Sequence, residues 1–345
     1  MFNCSGEMAE YHTDEVVLPG TEQAEMRDRR NAGRTRLERG LERDGHPPPR
    51  ETASQGSYSM RTMVKDEECD YDIDDGAYFR REALQTAEGQ DVAPAAARAR
   101  VRAALQQDDR LAFDAELKPN CVRQRYPQGY HIDVAVYRVF CKEGGEETYE
   151  HASGEVWRES DARAITRWFK GIVGDLASGQ ADGQQLRRIV RLTKKFSRSR
   201  GAPWKGKTTS GICITRLVVD EYVGAAGDDR SLRDTWVAIA ERLARSTEIE
   251  HPVLDGQLLA AENDGEVAFV RGCLDEALAV LGVLDRGDCS RREARKAWDD
   301  VFNTTFFSDL PLEDPDDGNN KGSRGPFVVT SKNVARRDDG GRQYG

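Results

Sequence analysis

The sequence predicts an α+β protein in which a mixed α/β first half is followed by a helical second half. The segment at 130–140 is rich in β-branched and aromatic residues, as strands are. From residue 184 onward, apolar residues recur at the spacing of amphipathic helices. The order of these segments predicts two lobes with an active-site cleft between them.

The first half alternates predicted helices and strands. Residues 21–43 form a polar helix, which the proline run at 47–49 ends. The segments that follow are a turn, short helix, acidic loop and strand within 55–79, a helix at 94–106, and strands at 111–117, 121–126 and 130–140. An amphipathic helix at 160–176 closes this half.

The second half consists of predicted helices followed by a tail of different composition. The helices lie at 184–199, 210–222, 230–246, 264–284 and 290–302. Polar residues and glycine dominate the tail, which we expect to be flexible. The predicted organisation is an N-terminal segment with a long helix at 1–50, an α/β core at 51–183, a helical lobe at 184–312 and the tail at 313–345.

Overall charge and hydropathy narrow the classes of function. The chain of 345 residues is 38% hydrophobic and 32% charged, with a formal net charge of −10. Nucleic-acid binding is not expected of so acidic a chain, although a local basic patch can bind phosphates. No stretch reaches the ~18 apolar residues of a membrane helix, and the start lacks a signal-peptide pattern, so we expect a cytoplasmic protein. The 7 cysteines lack the spacing of a zinc site or disulfide framework.

Three aspartates are the strongest candidates for chemistry. In a strand, residues two apart point to the same face, so Asp72 and Asp74 project together while Ile73 points into the core. Two such carboxylates repel each other unless a cation lies between them, and Mg²⁺ prefers oxygen ligands. Asp133 lies on a second predicted strand, where an aspartate is disfavoured unless it has a role such as a third metal ligand.

Each of these features also has a structural interpretation. The Asp-x-Asp pattern is common by chance, and other acidic residues nearby favour a solvated acidic loop. Asp133 can equally lie on a solvated face of its strand. The turn at Gly56–Ser57, however, offers backbone N–H groups and a hydroxyl to a phosphate. Three carboxylates together with such a turn predict two-metal phosphoryl transfer.

A basic segment lies at the start of the helical half. From Arg187 to Lys207 there are nine basic residues and no acidic one. In an acidic chain, such a segment predicts a local positive patch that can bind phosphates. The alternative is a solvated basic helix face.

The chain resembles the cGAS/DncV-like nucleotidyltransferases of bacterial anti-phage signalling, which are relatives of the polymerase-β superfamily. The resemblance covers most of residues 10–308 and depends on the order of several short motifs. These are Gln55-Gly56-Ser57, Asp72-Ile73-Asp74-Asp75-Gly76, His131-Ile132-Asp133, Trp157 with Ser160-Asp161, Trp168-Phe169, Arg191-Leu192-Thr193-Lys194-Lys195-Phe196, Ser210-Gly211-Ile212, and Trp298 with Val301-Phe302 and Phe306-Phe307.

The resemblance implies a polymerase-β-like nucleotidyltransferase core with a mixed sheet and a helical lobe. It implies an enzyme that joins nucleoside triphosphates into a cyclic di- or trinucleotide, such as cGAMP from ATP and GTP, and releases pyrophosphate. Asp72, Asp74 and Asp133 would hold two Mg²⁺ ions, for which Mn²⁺ can substitute, and Asp133 would activate the acceptor hydroxyl. The implied nucleotide contacts are Gln55, Gly56, Ser57, Arg123, Ser160, Lys194, Lys195 and Ser210, and which of the two lysines reaches phosphate stays open.

The carboxyl terminus suggests a second role. The chain ends in Gly341-Arg342-Gln343-Tyr344-Gly345, and some members of the family are conjugated through a C-terminal residue by ubiquitin-activating-type and conjugating-type partners. The alternative is an ordinary frayed end. Two further functions stay open: a template-independent transferase that makes linear chains, and an inactive module that acts only through conjugation of Gly345.

Overall fold

A mixed sheet carries the predicted carboxylates on its two central strands. The computed structural model describes residues 1–65, 71–106, 111–142, 144–145, 147–178 and 182–311. Its strands are β1 (Glu51–Ser54), β2 (Asp72–Arg80), β3 (Glu116–Leu117), β4 (Val122–Arg125), β5 (His131–Cys141), β6 (Glu147–Ser153) and β7 (Val156–Glu159). They pair in the order β1-β2-β5-β4-β3, and β6 pairs with both β5 and β7.

Parallel pairing of β2 with β5 sets the geometry of the sheet. The register joins Asp72 to His131 and Asp74 to Asp133. The neighbouring pairs β1–β2 and β4–β5 are antiparallel. Ile73 is fully buried, as the alternation along the strand predicts, because residues two apart share a face.

Two helices cover the sheet: α2 (Gly20–Arg43) and α4 (Pro94–Leu105). Although α2 is polar over most of its surface, it buries Met26, Leu37 and Leu41 in the core beneath the sheet. It also supports β2 directly, because Arg34 forms two hydrogen bonds of 2.7 and 2.5 Å to the buried carboxylate of Asp75. The short helix α3 (Gly56–Met60) connects β1 to the segment before β2.

The remaining helices pack around a second core, which contains the buried indoles Trp236 and Trp298. They are α5 (Ala162–Ser178), α6 (Gly183–Arg198), α7 (Gly211–Asp220), α8 (Asp228–Arg245), α9 (Gly265–Leu281), α10 (Arg291–Phe302) and α11 (Phe306–Asp309). The predicted α+β class with a helical second half is confirmed. A two-stranded pair that the sequence analysis missed, β8 (Ile249–Glu250) with β9 (Leu258–Ala260), lies within this half.

The amino terminus belongs to the helical core, which the sequence analysis did not predict. Helix α1 (Ser5–Tyr11) and a turn of π-helix at His12–Val16 bury Met8 and Tyr11 there. The buried Glu7 carboxylate pairs with Arg291 and Arg295 of α10. Ion pairs to α10 and apolar packing in the helical core therefore both hold α1 in place.

Packing within the described residues crosses the predicted boundaries at 50 and 183. The segment 1–50 contributes α1 to the helical core and α2 to the sheet core. Phe169 and Val173 of α5 lie in the helical core although they precede residue 183. Residues Met1–Asp309 form one compact unit, and the four-part division stays a prediction. None of the helices in the described ranges has the length and apolar character needed to span a bilayer.

The crossing of α2 over α4 gives a test of the fold. A Cβ atom on Gly40 would lie 2.2 Å from the backbone oxygen of Ala104. Gly40→Ala should therefore lower the free energy of unfolding by about 1–3 kcal/mol, measured by chemical denaturation. The matched control is Gly33→Ala on the same helix, where the nearest atom is a flexible Arg36 nitrogen at 3.9 Å. We expect no loss there, since alanine favours helix by up to about 1 kcal/mol; equal losses would contradict this account.

Candidate active site

Three carboxylates meet in one cavity of about 520 Å³ at the amino-terminal ends of β2 and β5. Asp72 and Asp74 come from β2, and Asp133 comes from β5 beside Asp74. The predicted common face of Asp72 and Asp74 thus exists, and pairing of the two strands adds the third carboxylate. Asp133 is only 7% exposed, so the interpretation of a solvated face does not hold.

The electrostatics of this cavity favour a bound cation. Burial and the neighbouring charges of Asp72 and Asp133 raise the pKa of Asp74 to about 8. Burial and the charge of Asp133 also raise the pKa of Asp72. A divalent cation would remove this mutual repulsion and hold the three groups ionised at neutral pH.

His131 is a potential ligand that the sequence analysis did not single out. Its Nε2 atom lies 3.7 Å from Oδ2 of Asp72 and 3.8 Å from Oδ2 of Asp133. Possible donor atoms of these three residues lie within 4.8 Å of one another, which suits one metal ion. Alternation along β5 puts His131 on the same face as Asp133, a signal present in the His131-Ile132-Asp133 motif, whereas only the register of β2 against β5 brings the imidazole to Asp72.

Gly56 allows the turn before α3 to approach Asp74. Its backbone φ is +57°, and a Cβ atom would lie 2.1 Å from Oδ2 of Asp74. The backbone N–H of Gln55 donates a 2.8 Å hydrogen bond to the Asp74 carbonyl oxygen, which fixes the turn on the strand. Gly56 and Ser57 line the same cavity as the carboxylates, as a phosphate-binding turn requires.

The side chain of Gln55 is more deeply buried than that of a residue whose only role is to contact a ligand. Its amide oxygen accepts a 3.0 Å hydrogen bond from the Tyr137 hydroxyl, and its Nε2 donates to the Tyr78 hydroxyl at 3.3 Å. The rings of these tyrosines stack with centroids 4.6 Å apart. A Cβ atom on Gly76 would lie 1.9 Å from Nε2, so Gly76 leaves the space for this amide. Gln55 borders the cavity in a fixed orientation.

Lys194 and Lys195 face different cavities. Lys194 lines the carboxylate cavity, and its Nζ donates to the Thr62 hydroxyl at 3.2 Å. Burial beside Arg198 lowers the pKa of Lys194 to about 7. Lys195 lines a second cavity, where its Nζ donates to the Lys65 carbonyl oxygen at 3.3 Å. The geometry therefore makes Lys194 the lysine that can reach a phosphate beside the carboxylates.

Ser210 stands at the amino terminus of α7, at the edge of the carboxylate cavity. Its hydroxyl accepts from the backbone N–H of Cys213 at 3.3 Å, which makes it the N-cap of that helix. The neighbouring Gly211 is close to Lys194, because a Cβ atom on this glycine would lie 3.8 Å from the Lys194 Nζ. The helix terminus and the lysine together form a positive wall that suits a phosphate.

Arg123 and Ser160 contact other protein groups in the structure. Arg123 makes a bidentate salt bridge to Asp133, with hydrogen bonds of 2.9 and 2.7 Å from Nε and Nη2. The backbone N–H of Ser160 donates to the Tyr149 carbonyl oxygen at 3.0 Å, and the next residue, Asp161, caps α5. Their predicted contacts with nucleotide stay predictions. Gly345 lies outside the described residues, so its predicted conjugation stays a prediction.

The comparisons with known proteins agree with this fold. Residues 50–137 match the family described as Cyclic GMP-AMP synthase DncV-like, nucleotidyltransferase domain. A structure of Vibrio cholerae DncV cyclic AMP-GMP synthase with the linear intermediate 5′ pppA(3′,5′)pG has a TM-score of 0.68 at 17% identity, covering 88% of this chain and 96% of that chain. Escherichia coli DncV in its 3′-deoxy GTP bound form has a TM-score of 0.65 at 18% identity, covering 89% and 96%. Bradyrhizobium diazoefficiens CD-NTase CdnG in complex with GTP has a TM-score of 0.67 at 14% identity, covering 88% and 96%.

The family match and the shared fold place this chain among proteins similar to the DncV-like nucleotidyltransferases, which are enzymes. The segment 50–137, which holds all three carboxylates, matches the DncV-like nucleotidyltransferase domain, and the resemblance to the cGAS/DncV-like nucleotidyltransferases predicted from the sequence is confirmed.

The contact between Gly56 and Asp74 gives a test of the site. Gly56→Ala would push the Asp74 carboxylate aside, and we expect affinity for Mn²⁺ to fall by about ten-fold or more, measured by electron paramagnetic resonance titration. The control is Gly154→Ala, because Gly154 has a similar φ of +55° but open space around its Cβ position. It matches the backbone strain and should leave Mn²⁺ affinity unchanged. An equal loss of Mn²⁺ affinity in both variants would contradict the conclusion that Gly56 is needed for the turn to approach Asp74.

Proposed function

We propose that this protein joins nucleoside triphosphates into a cyclic di- or trinucleotide and releases pyrophosphate. The observation that carries the proposal is the single cavity that holds Asp72, Asp74 and Asp133 together with Lys194. The carboxylates suit divalent cations, and the lysine suits a triphosphate. Related folds bind GTP or a linear dinucleotide intermediate, which supports the substrate class.

The residues of this chain divide the reaction between them. Two divalent cations, Mg²⁺ or Mn²⁺, held by the three aspartates would supply charge neutralisation and lower the pKa of the attacking hydroxyl. Lys194, Ser210 and the Gly56–Ser57 turn would hold the donor triphosphate. The acceptor oxygen, from which Asp133 helps to remove the proton, forms a bond to the α-phosphorus. The bond from that phosphorus to the bridging oxygen breaks, and pyrophosphate leaves.

The finer parts of the proposal come from the resemblance. They are ATP and GTP as substrates, a product such as cGAMP, and a cytoplasmic role in anti-phage signalling. Gln55 would contact the donor nucleotide, while Arg123 and Ser160 would contact the acceptor once Arg123 moves from Asp133. Conjugation of Gly345 by ubiquitin-activating-type partners belongs to the same proposal. The two alternatives to this proposal are a transferase that makes linear chains and a module that is inactive as an enzyme.

The double substitution Asp72→Asn with Asp74→Asn tests the reaction. We expect it to abolish product while keeping the fold, because asparagine matches aspartate in shape but cannot neutralise a divalent cation. Purified protein is incubated with labelled ATP, GTP, CTP and UTP and Mg²⁺ or Mn²⁺, treated with phosphatase, and analysed by mass spectrometry.

The control is Asp175→Asn, which changes an exposed carboxylate of α5. A phosphatase-resistant product from wild-type protein that needs both aspartates supports cyclisation. Linear, phosphatase-sensitive chains favour the linear transferase, and full turnover in the double variant would overturn the metal assignment.

The two adjacent lysines provide a second test. Lys194→Met should raise KM for the donor triphosphate by about ten-fold or more, because a charge-assisted hydrogen bond to phosphate is lost. Lys195→Met, next to it on α6, should change KM less than about two-fold. Steady-state kinetics of pyrophosphate release measures both values, and thermal melting shows whether each variant folds. The reverse order of the two effects would contradict the assignment of Lys194 to the carboxylate cavity.

A further inference from the structure

A short hairpin of the helical half borders the carboxylate cavity. Its strands β8 and β9 pair with Ile249 opposite Ala260, and both of these residues are buried in the helical core. The connecting segment turns at Gly256, whose φ of +72° is the left-handed conformation that glycine adopts without strain. There the Gln257 N–H donates to the Leu254 carbonyl oxygen at 3.1 Å. The strands and the turn together give side chains of this hairpin a defined position.

His251 is the first residue after β8, and it lines the carboxylate cavity. Its Nδ1 atom accepts hydrogen bonds from the backbone N–H of Val253 at 3.2 Å and from that of Leu254 at 3.0 Å. A backbone N–H can only donate, so Nδ1 is the unprotonated nitrogen and the proton of the neutral imidazole lies on Nε2. The turn therefore fixes the tautomer of the ring as well as its orientation.

The imidazole of His251 is neutral at neutral pH. Burial and the charge of Arg216 lower the pKa of His251 below its ordinary value. Protonation would also place a hydrogen on Nδ1, towards which two backbone N–H groups already point. In the described part of the chain, the Nε2–H of this ring has no protein acceptor. His251 therefore offers a ligand one hydrogen-bond donor in a fixed direction and no acceptor.

Apolar side chains from the same half of the molecule line the cavity as well. Ile212 of α7 and Leu259 of β9 are half-buried and border the cavity that His251 borders. Aliphatic side chains pack against the face of a planar ring, whereas the polar edge of the ring needs hydrogen-bond partners. Lys194 and Ser210, which suit a triphosphate, line this cavity too. A nucleotide whose phosphates lie there has an apolar surface for its base and a fixed donor for the edge of that base.

We propose that His251 is a specificity-determining residue, whose Nε2–H donates to an acceptor atom of a nucleobase bound in the carboxylate cavity. The acceptor is a carbonyl oxygen or an unprotonated ring nitrogen of the base. A base that turns an amino group to the same point leaves two donors facing each other and neither paired, so the site selects against it. This inference rests on the proposed function, because it takes a nucleotide as the ligand.

The test measures binding by the full-length chain without turnover. The probes are analogues of ATP, GTP, CTP and UTP in which a methylene group replaces the oxygen between the α- and β-phosphorus atoms. The bond that the reaction would break is therefore absent. Isothermal titration calorimetry with Mg²⁺ gives the Kd of each analogue. We expect wild-type protein to bind one base more tightly than the others by about ten-fold or more, since the donor stays unpaired with the wrong base.

His251→Asn separates the donor from the support of the turn. The asparagine carbonyl oxygen can still accept from the backbone N–H groups at 253 and 254, but its side chain is too short to present a donor where Nε2 lies. We expect this variant to weaken the preferred analogue by about ten-fold and to leave the other three within about two-fold. The matched control is Gln257→Ala, because Gln257 belongs to the same hairpin, is exposed and is not among the described lining residues. It should leave all four affinities unchanged.

The outcomes distinguish a failure of this inference from a failure of the proposed function. If no analogue binds the wild-type protein, the proposed function fails and the role of His251 fails with it. If analogues bind but His251→Asn changes none of the four affinities, or weakens all four equally, the proposed function stands and the role of His251 is overturned.

Nitrogen-15 NMR of the wild-type protein gives a second measurement that needs no variant. The imidazole of His251 should show the tautomer protonated on Nε2, and the Nε2 resonance should shift when the preferred analogue is added. The opposite tautomer, or an Nε2 resonance that the analogue leaves unchanged, would overturn the inference. Thermal melting shows that His251→Asn is folded.

Discussion

The repulsion among three carboxylates that share one cavity is the constraint on which the rest of the site depends. Parallel pairing of β2 with β5 brings Asp74 beside Asp133, and burial raises the pKa of Asp74 to about 8. An isolated cluster of this kind is unfavourable, so the surrounding protein supplies cations at several points. Arg123 pairs with Asp133, and Lys194 approaches from α6. Binding of divalent cations would therefore stabilise the site, and phosphoryl transfer uses such bound cations.

The helical half contributes to the carboxylate cavity through the position of one helix, α6. Because α6 turns by about 100° per residue, adjacent lysines point in different directions. Lys194 therefore faces the carboxylates while Lys195 faces the second cavity, and Arg198 one turn later borders both. The amino terminus steadies this arrangement by pairing Glu7 with α10. Adjacent positions of one helix therefore border two different cavities.

Much of the site could be predicted because its signals are local. Alternation along one strand is enough to place Asp72 and Asp74 on one face, and an aspartate inside an apolar strand marks Asp133. Contacts between distant segments leave no such signal. His131 reaches Asp72 only through strand register, and Arg123 meets Asp133 only because β4 pairs with β5. The packing of α1 into the helical core is also invisible in sequence, since its apolar residues are few.

By itself the sequence determined the α+β class with a helical second half, the shared face of Asp72 and Asp74, and the concentration of positive charge at 187–207. These follow from periodicity and composition, which are properties of short segments. Tertiary structure alone decided which lysine faces the carboxylates, how Gln55 is oriented by Tyr137, and that a second cavity exists beside α6. The physical reason is that each of these depends on distances between segments far apart in the chain, and such distances are set only when the sheet and the helical core pack together.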